Sequence, residues 1–375
     1  MTHQDGRTTV ALIFGGVSSE HEISCLTAGG VARVIDPERI ELVGVGIGKD
    51  GRWGRMSADD VAAFDSDGTV LPVVPGGLPE AVLLRGGHGG QVATRDGDKL
   101  SDVRDIDVAF TLLHGPFGED GTIQGLFEML GIRYVGAGVA ASAIGMDKDL
   151  MKRAIRAVGV PAWPWLSFDA FELRHDRGAC ERAVDELGYP VFVKPARGGS
   201  SVGITRVNER ENLAGAIELA LTYDPGKIVV EKGAIGYREI EVGVLQGRAG
   251  GPPRVTVPGE IKVHNPDSFY DFKTKYLPGE EDVSLIVPAP LSDETIRAAQ
   301  DVAARTFTAL GTEGLARVDL FLSPDGDVFV NEINTMPGFT SLSMFPMLWG
   351  QAGLAYSDLV AELIDLAKAR PLGLR

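Results

Sequence analysis

Asp319, Glu332 and Asn334 carry three oxygen-bearing side chains on two short apolar segments, RVDLFL (317–322) and VNEINTMPG (330–338). The turn sequence SPDG (323–326) separates them and predicts a β-hairpin. Alternate side chains of a strand share a face, so Glu332 and Asn334 point one way, while Val330 and Ile333 help bury the other side. Pairing then brings Asp319 beside them. An all-oxygen set of this kind suits Mg²⁺, which takes few protein oxygens and completes its shell with water and phosphate. A solvated hairpin face accounts for a lone D…E-x-N equally well, so the neighbouring segments decide.

Several of those segments offer ways to hold a nucleotide. In PVFVKPARGGSSVG (190–203), Lys194 ends an apolar strand directly before a Gly/Ser loop. There it either snorkels to water or holds a buried anion. The loop 198–203, with Ser200, Ser201 and Gly203, has the glycines and hydroxyls to wrap backbone N–H groups around phosphate oxygens. It is not a Walker loop, because no G-x-x-x-x-G-K-[ST] occurs in the chain. IVVEKG (228–233) ends another strand with Glu231 and Lys232, a place where an acid and the backbone can read adenine and a nearby Glu can take ribose hydroxyls. A solvent-exposed strand end explains the pair as well. MDK (146–148) sets Lys148 at a helix start, an anion-friendly position. GAGVAA (136–141) satisfies G-x-G-x-x-A, but the acidic residue a dinucleotide site wants about 20 positions on is absent from the basic, helical RAIRAVGVP. The nicotinamide reading is set aside.

The elements that position these residues divide into three units. TVALIF, IELVGVGI and DVAFTLLH read as strands alternating with helices, a small parallel α/β domain. Residues 54–104, rich in Gly, Asp and Pro, read as hairpin and loop without chemistry. A helix MDKDLMKRAIRAVG stops at Gly159 before Pro161, and an α+β unit runs on to KIVVEKG. Further strands, a long helix at 292–310, the hairpin and a closing helix near 356–369 complete the chain. The expected units are 1–140, 141–232 and 233–375. At 375 residues the chain is too long for a single compact core. A net charge of −16 argues against a general nucleic-acid or anionic-membrane partner. Two cysteines, a polar N-terminus and no apolar run near ~18 residues point to a cytoplasmic protein.

Seven motifs in order resemble the D-alanine–D-alanine ligase family of the ATP-grasp superfamily. They are GGVSSEHEIS, HGPFGEDGTIQG, GAGVAASAIGMDK, VKPARGGSSVG, FYDFKTKY, RVDLFL and NEINTMPGFTSLSMFP. Residues 54–104 are what the resemblance explains least. It implies a three-domain ATP-grasp fold of α/β and α+β units with a Rossmann-like N-terminal domain, ATP being clasped between the central and C-terminal ones. By position, Lys148 and Lys194 contact phosphates, Glu231, Lys232 and Glu239 serve adenine and ribose, and the Ser200–Gly203 loop closes over the triphosphate. Asp319, Glu332 and Asn334 bind two Mg²⁺ ions, with Mn²⁺ as a substitute. Glu20 pairs with the first D-alanine's ammonium, although compensation of a helix N-terminus explains a Glu there too. His114 lies near that substrate's carboxylate, and Arg317 with the Gly338 N–H stabilises the oxyanion. Ser343 holds the second carboxylate. Lys275 and Tyr276 belong to a loop folding over the site, with Ser200, Tyr276 and Glu20 as a latch. Tyrosine at 276 goes with dipeptide formation, phenylalanine with the D-lactate ester variant. A ligase for D-lactate or another amino acid, and a non-catalytic ATP-binding module, are the competing readings. The resemblance also implies a homodimer.

Overall fold

A computed structural model describes residues 6–66, 70–87, 89–199, 201–264 and 283–372. Its first sheet contains β1 (Thr8–Gly15), β2 (Ile40–Ile47), β3 (Trp53–Met56), β4 (Glu80–Arg85), β5 (Gly90–Asp96), β6 (Lys99–Ile106), β7 (Val108–Thr111) and β8 (Arg133–Tyr134). The strands lie in the order β6-β5-β4-β3-β2-β1-β7-β8. β1 pairs in parallel with β2 and β7, and β7 with β8. Its run of apolar residues is buried throughout from Thr9, as befits a parallel strand covered on both faces. After β1 the chain turns sharply at Gly15 and Gly16, both with positive φ. A Cβ at Gly15 would lie 2.3 Å from the Ile47 carbonyl, so only glycine suits that turn.

The segment 54–104 forms the hairpins its sequence predicts, and they add more strand than expected. It builds β3 to β6, an antiparallel extension of the sheet, with the glycine-rich RGGHGG run falling between β4 and β5. EAVLLR and GQVATRD form half-buried strands whose extent the surrounding glycines concealed. This extension also touches the N-terminal loop: the Val74 N–H donates to Nε2 of buried His21, whose Nδ1–H donates to the Gly16 carbonyl at 2.6 Å.

The second sheet, ordered β11-β10-β12-β9, contains β9 (Trp165–Asp169), β10 (Val191–Pro195), β11 (Thr205–Val207) and β12 (Lys227–Lys232), paired antiparallel. Helices Arg177–Leu187 and Leu213–Tyr223 contribute Val184, Leu213 and Ile217 to its core. The third sheet runs β16-β15-β13-β17-β18, with β14 beside β13. Its strands are β13 (Arg238–Leu245), β14 (Arg254–Val255), β15 (Gly259–Val263), β16 (Val283–Ile286), β17 (Leu315–Leu322) and β18 (Val328–Asn334). Helix Asp293–Ala309 packs behind it, started by the Ser292 hydroxyl accepting the Thr295 N–H.

Two packing features depart from a simple three-unit division. Met151 and Ile155 of helix Lys148–Ala157 bury in the third sheet's core, and the Trp163 N–H donates to the Val330 carbonyl. Residues 148–163 therefore pack with the C-terminal sheet, although the sequence placed them in the central unit. The closing helix Tyr356–Ala369 returns to the first sheet: Leu359, Leu363 and Ile364 share a core with Leu12, Phe14 and Phe110. Phe339 and Phe345 join the same core, which ties the end of the β17–β18 hairpin to the N-terminal unit.

Candidate active site

The hairpin forms as expected, with the Gly326 N–H closing its turn on the Ser323 carbonyl. Asp319 pairs with Glu332 and Arg317 with Asn334 across it. Strict alternation would put Val330 and Glu332 on one face, yet Val330 is buried and Glu332 is not. A β-bulge resolves the conflict. Leu320 pairs with Val330, so Asn331 is an extra residue, and beyond it the side-chain alternation is reset. The bulge turns Glu332 and Asn334 toward Asp319, whose Oδ2 accepts the Asn334 amide at 2.9 Å.

Two carboxylates and an amide are hard oxygen donors and suit Mg²⁺. Among the described residues no group of three or more Asp, Glu, His or Cys is gathered for a metal. Water and phosphate oxygens would have to complete the coordination, which is how Mg²⁺ is ordinarily held at nucleotide sites.

Lysines surround the hairpin. Asp147 caps helix Lys148–Ala157 by accepting the Asp149 and Leu150 N–H groups, so Lys148 is fixed at its first position. Its Nζ donates to the Gly198 carbonyl at 2.8 Å and lies 3.3 Å from Glu332 Oε2, joining the Gly/Ser loop to β18. Lys194 Nζ is 2.6 Å from Glu231 Oε2, and Lys152, with a fully buried side chain, is 3.0 Å from Glu231 Oε1. The Lys152 ammonium also donates to the Asn331 carbonyl that the bulge exposes. Burial opposes the charge on Glu231, but the two ammoniums outweigh it and hold its pKa down at about 2. Burial likewise opposes the charge on Lys194, and the Glu231 carboxylate turns the balance and raises its pKa. For Lys152, burial prevails and the pKa falls.

The Glu231 side chain is buried as the counter-ion of Lys152 and Lys194. Glu239, exposed on β13, and Lys232, exposed at the end of β12, remain beside it.

A second group of residues meets at the edge of the N-terminal unit. Glu20 is buried before helix His21–Val34, with no side-chain bond to the helix's N–H groups. A Cβ built at Gly115 would lie 3.1 Å from Glu20 Oε2, and one at Gly199 3.4 Å. The Glu20 carboxylate thus sits where the HGPFG loop and the Gly/Ser loop meet. Met336 is gripped from both sides of its own residue. His114 Nδ1–H donates to its carbonyl at 3.0 Å, and its N–H donates to Glu119 Oε1 at 3.0 Å. Glu119 Oε2 accepts the Gly115 N–H at 2.8 Å. The grip fixes the turn carrying Gly338, whose Cβ position would be 3.2 Å from Ser343 Oγ. Space rather than a positive φ therefore keeps glycine at 338. Ser343 Oγ in turn accepts the Thr340 N–H at the start of helix Met344–Gln351.

Because Nδ1 of His114 must donate to a carbonyl, the neutral ring offers only a lone pair at buried Nε2, which has no hydrogen-bond partner among the described residues. Burial holds the His114 pKa below the ordinary imidazole value, against the pull of the Glu20 carboxylate. A substrate carboxylate at Nε2 would require the ring to take up a proton.

Family-model matches cover the chain in two consecutive parts, "D-ala D-ala ligase N-terminus" over residues 9–137 and "D-ala D-ala ligase C-terminus" over 154–365. The D-alanine–D-alanine ligase of Kineococcus radiotolerans is 48% identical over 379 residues, covering 98% of each chain. The chain belongs to the D-Ala–D-Ala ligase family. Among solved structures, the D-alanine-D-alanine ligase from Coxiella burnetii superposes with a TM-score of 0.81 at 31% identity, over 97% of this chain and 94% of that one. The VanG D-Ala:D-Ser ligase from Enterococcus faecalis gives 0.80 at 32%, over 96% and 99%. Two relatives titled with different second substrates are thus equally similar in backbone, so the fold alone does not choose the nucleophile. The ATP-grasp, three-sheet arrangement is the family's fold.

Within this D-Ala–D-Ala ligase family member, Lys148, Lys194, Arg317, Asp319, Glu332 and Asn334 come together around the hairpin, and Glu20, His114, Gly338 and Ser343 around the turn beyond it. Ser201 and Gly203 lie in the Gly/Ser loop with positive φ. Ser200, Lys275 and Tyr276 fall outside the described residues, and with them the latch and the tyrosine argument. Sequence reading missed Lys152 and Glu119. Each belongs to a quoted motif, but beside Arg153 and Asp120 neither stands out from its charged neighbours.

Glu119 makes a testable case. Its packed setting first, and the neighbouring Glu20 charge second, push its pKa up to about 8 from an ordinary 4.5, against two backbone N–H donors. A raised carboxyl favours its neutral form in the fold. Its stabilising contribution is full below about pH 4.5 and is lost as pH rises through about 8. Thermal unfolding of ligand-free protein from pH 5 to 9 should therefore fall relative to Glu119→Gln; a pH-independent difference between the two contradicts the assignment.

Proposed function

We propose that this protein uses ATP to join two D-alanine molecules into D-alanyl-D-alanine, a step in peptidoglycan precursor synthesis in the cytoplasm, as a homodimer with two Mg²⁺ ions. The observation that supports it most is the full-length likeness to curated D-alanine–D-alanine ligases with Glu20, Lys148, Lys194, Arg317, Asp319 and Glu332 all in place.

A carboxylate and an amine do not condense unaided in water. In the proposed reaction a carboxylate oxygen of the first D-alanine attacks the γ-phosphorus of ATP, the β–γ bridging bond breaks, and ADP leaves. The amine of the second D-alanine then attacks the acyl carbon and loses a proton, and phosphate departs. Mg²⁺ held by Asp319, Glu332 and Asn334 would neutralise charge on the transferred phosphoryl group. Lys148 and Lys194 orient the phosphates, and Glu231 and Lys152 hold Lys194 in place. Glu20 anchors the first ammonium, while Arg317 and the Gly338 N–H receive the oxyanion. Water exclusion matters because acyl phosphates hydrolyse, and the loop bearing Lys275 and Tyr276 is assigned to that task.

Glu20→Gln tests the substrate assignment. Loss of a charged contact to an ammonium is worth about 1.5–3 kcal/mol, so the KM at the first D-alanine site should rise roughly ten- to a hundredfold, with a smaller change at the second. Initial-rate kinetics that leave the first KM unchanged would remove Glu20 from that role.

A further inference from the structure

Asp319 carries two duties that compete. Its oxygens take the Arg317 guanidinium in a fork, Nε to Oδ1 and Nη2 to Oδ2, each at 2.7 Å, and Oδ2 also accepts from Asn334. A metal ion at Asp319 would compete with Arg317 and Asn334 for the carboxylate's charge and lone pairs. Arg317 would then lose its anchor and feel the repulsion of a divalent cation, in the very complex where its own charge has to be aimed at an oxyanion.

A second carboxylate stands ready on the neighbouring strand. Glu241 of β13 is the register partner of Asp319 on β17, and its Oε2 is 3.1 Å from Arg317 Nε. Its side chain is 5% exposed and that of Arg317 is 16%, so their attraction is little screened by water. Pairing of β13 with β17 along eight residues fixes the spacing, so Glu241 can keep hold of Arg317 without any backbone movement.

We propose that Glu241 is a positioning residue that keeps Arg317 in place when Asp319 turns to the metal. In this role Glu241 would act through Arg317 rather than on substrate or metal; the inference rests on the ligase reading of the site.

The test is a double-mutant cycle read in two ways. Glu241→Gln keeps the volume and removes the charge. It should lower kcat for dipeptide formation about 10²-fold, the typical effect of a misplaced oxyanion donor, with KM for ATP within about two-fold. Mn²⁺ affinity of the enzyme–ADP complex, followed by the electron paramagnetic resonance of free Mn²⁺, should weaken about ten-fold, because Asp319 stays committed to Arg317. In an Arg317→Gln background the same change should leave Mn²⁺ affinity unaltered. Undiminished weakening in that background would make Glu241 a metal ligand and overturn the proposal, as would wild-type kcat in the single variant. Should Glu241→Gln not fold, Glu241→Asp keeps the charge with a shorter reach and should give an intermediate kcat; an unchanged kcat there again overturns the proposal. If the wild-type protein makes no dipeptide, it is the ligase reading that fails, and the Mn²⁺ cycle still decides whether Glu241 acts through Arg317.

Discussion

Replacing Asp319 by Asn should lower turnover by at least about 10³-fold in a protein that still folds. The metal is asked to supply several kcal/mol of transition-state charge stabilisation, and each 1.4 kcal/mol is a factor of ten. Asparagine keeps the volume and a hydrogen-bonding oxygen for Asn334 but brings no charge to a divalent ion. Arg317 keeps a carboxylate partner in Glu241, so no buried cation is stranded. Glu332→Gln should behave alike in rate. Its ion pair with Lys148 is 3.3 Å long, with the Lys148 side chain 10% and the Glu332 side chain 27% exposed, so this variant should also lose some stability. ADP release under saturating ATP and D-alanine measures the rate, and circular dichroism the fold. A near-normal rate in either variant would remove the metal from this hairpin.

The second large effect concerns folding. Glu231→Gln leaves Lys152 and Lys194 facing each other in the interior with no anion between them, and breaking a buried ion set in this way typically costs about 3–5 kcal/mol. Adding Lys152→Met to Glu231→Gln removes one stranded cation and should recover part of the loss. Urea unfolding of the wild type, both single variants and the double variant gives the coupling directly. A neutral Glu231→Gln, or a double variant less stable than that single one, contradicts the description of the three residues as one charge-balanced unit. Since the Glu231 pKa is held down at about 2, its contribution is present above about pH 4.5 and is lost as pH falls toward 2. The unfolding series therefore belongs at neutral pH.

What the sequence could and could not reveal follows from the range of the interactions. The hairpin around SPDG and the placement of Lys148 at a helix start depend on residues a few positions apart, and both were legible. The bulge at Asn331 was half visible, since Val330 and Ile333 cannot share a face in a regular strand. The hairpins at 54–104 were legible, but their joining into an extension of the first sheet was not, because the strands are short, half-exposed and separated by glycines that read as loop. Lys152 looked like any lysine of the polar face in KDLMKRAIRA; only the docking of that helix against the third sheet buries it beside Glu231. Glu241 was invisible for the same reason, because its meaning depends on a register between β13 and β17 that no local pattern encodes.

The most direct test of the central claim is ADP release and product mass with ATP, Mg²⁺ and either D-alanine, L-alanine, D-alanine plus D-lactate, or D-alanine plus D-serine. Release with D-alanine alone, giving D-alanyl-D-alanine, is the predicted result. Product formed only when D-lactate or D-serine is present, or release with L-alanine in preference to D-alanine, would contradict it.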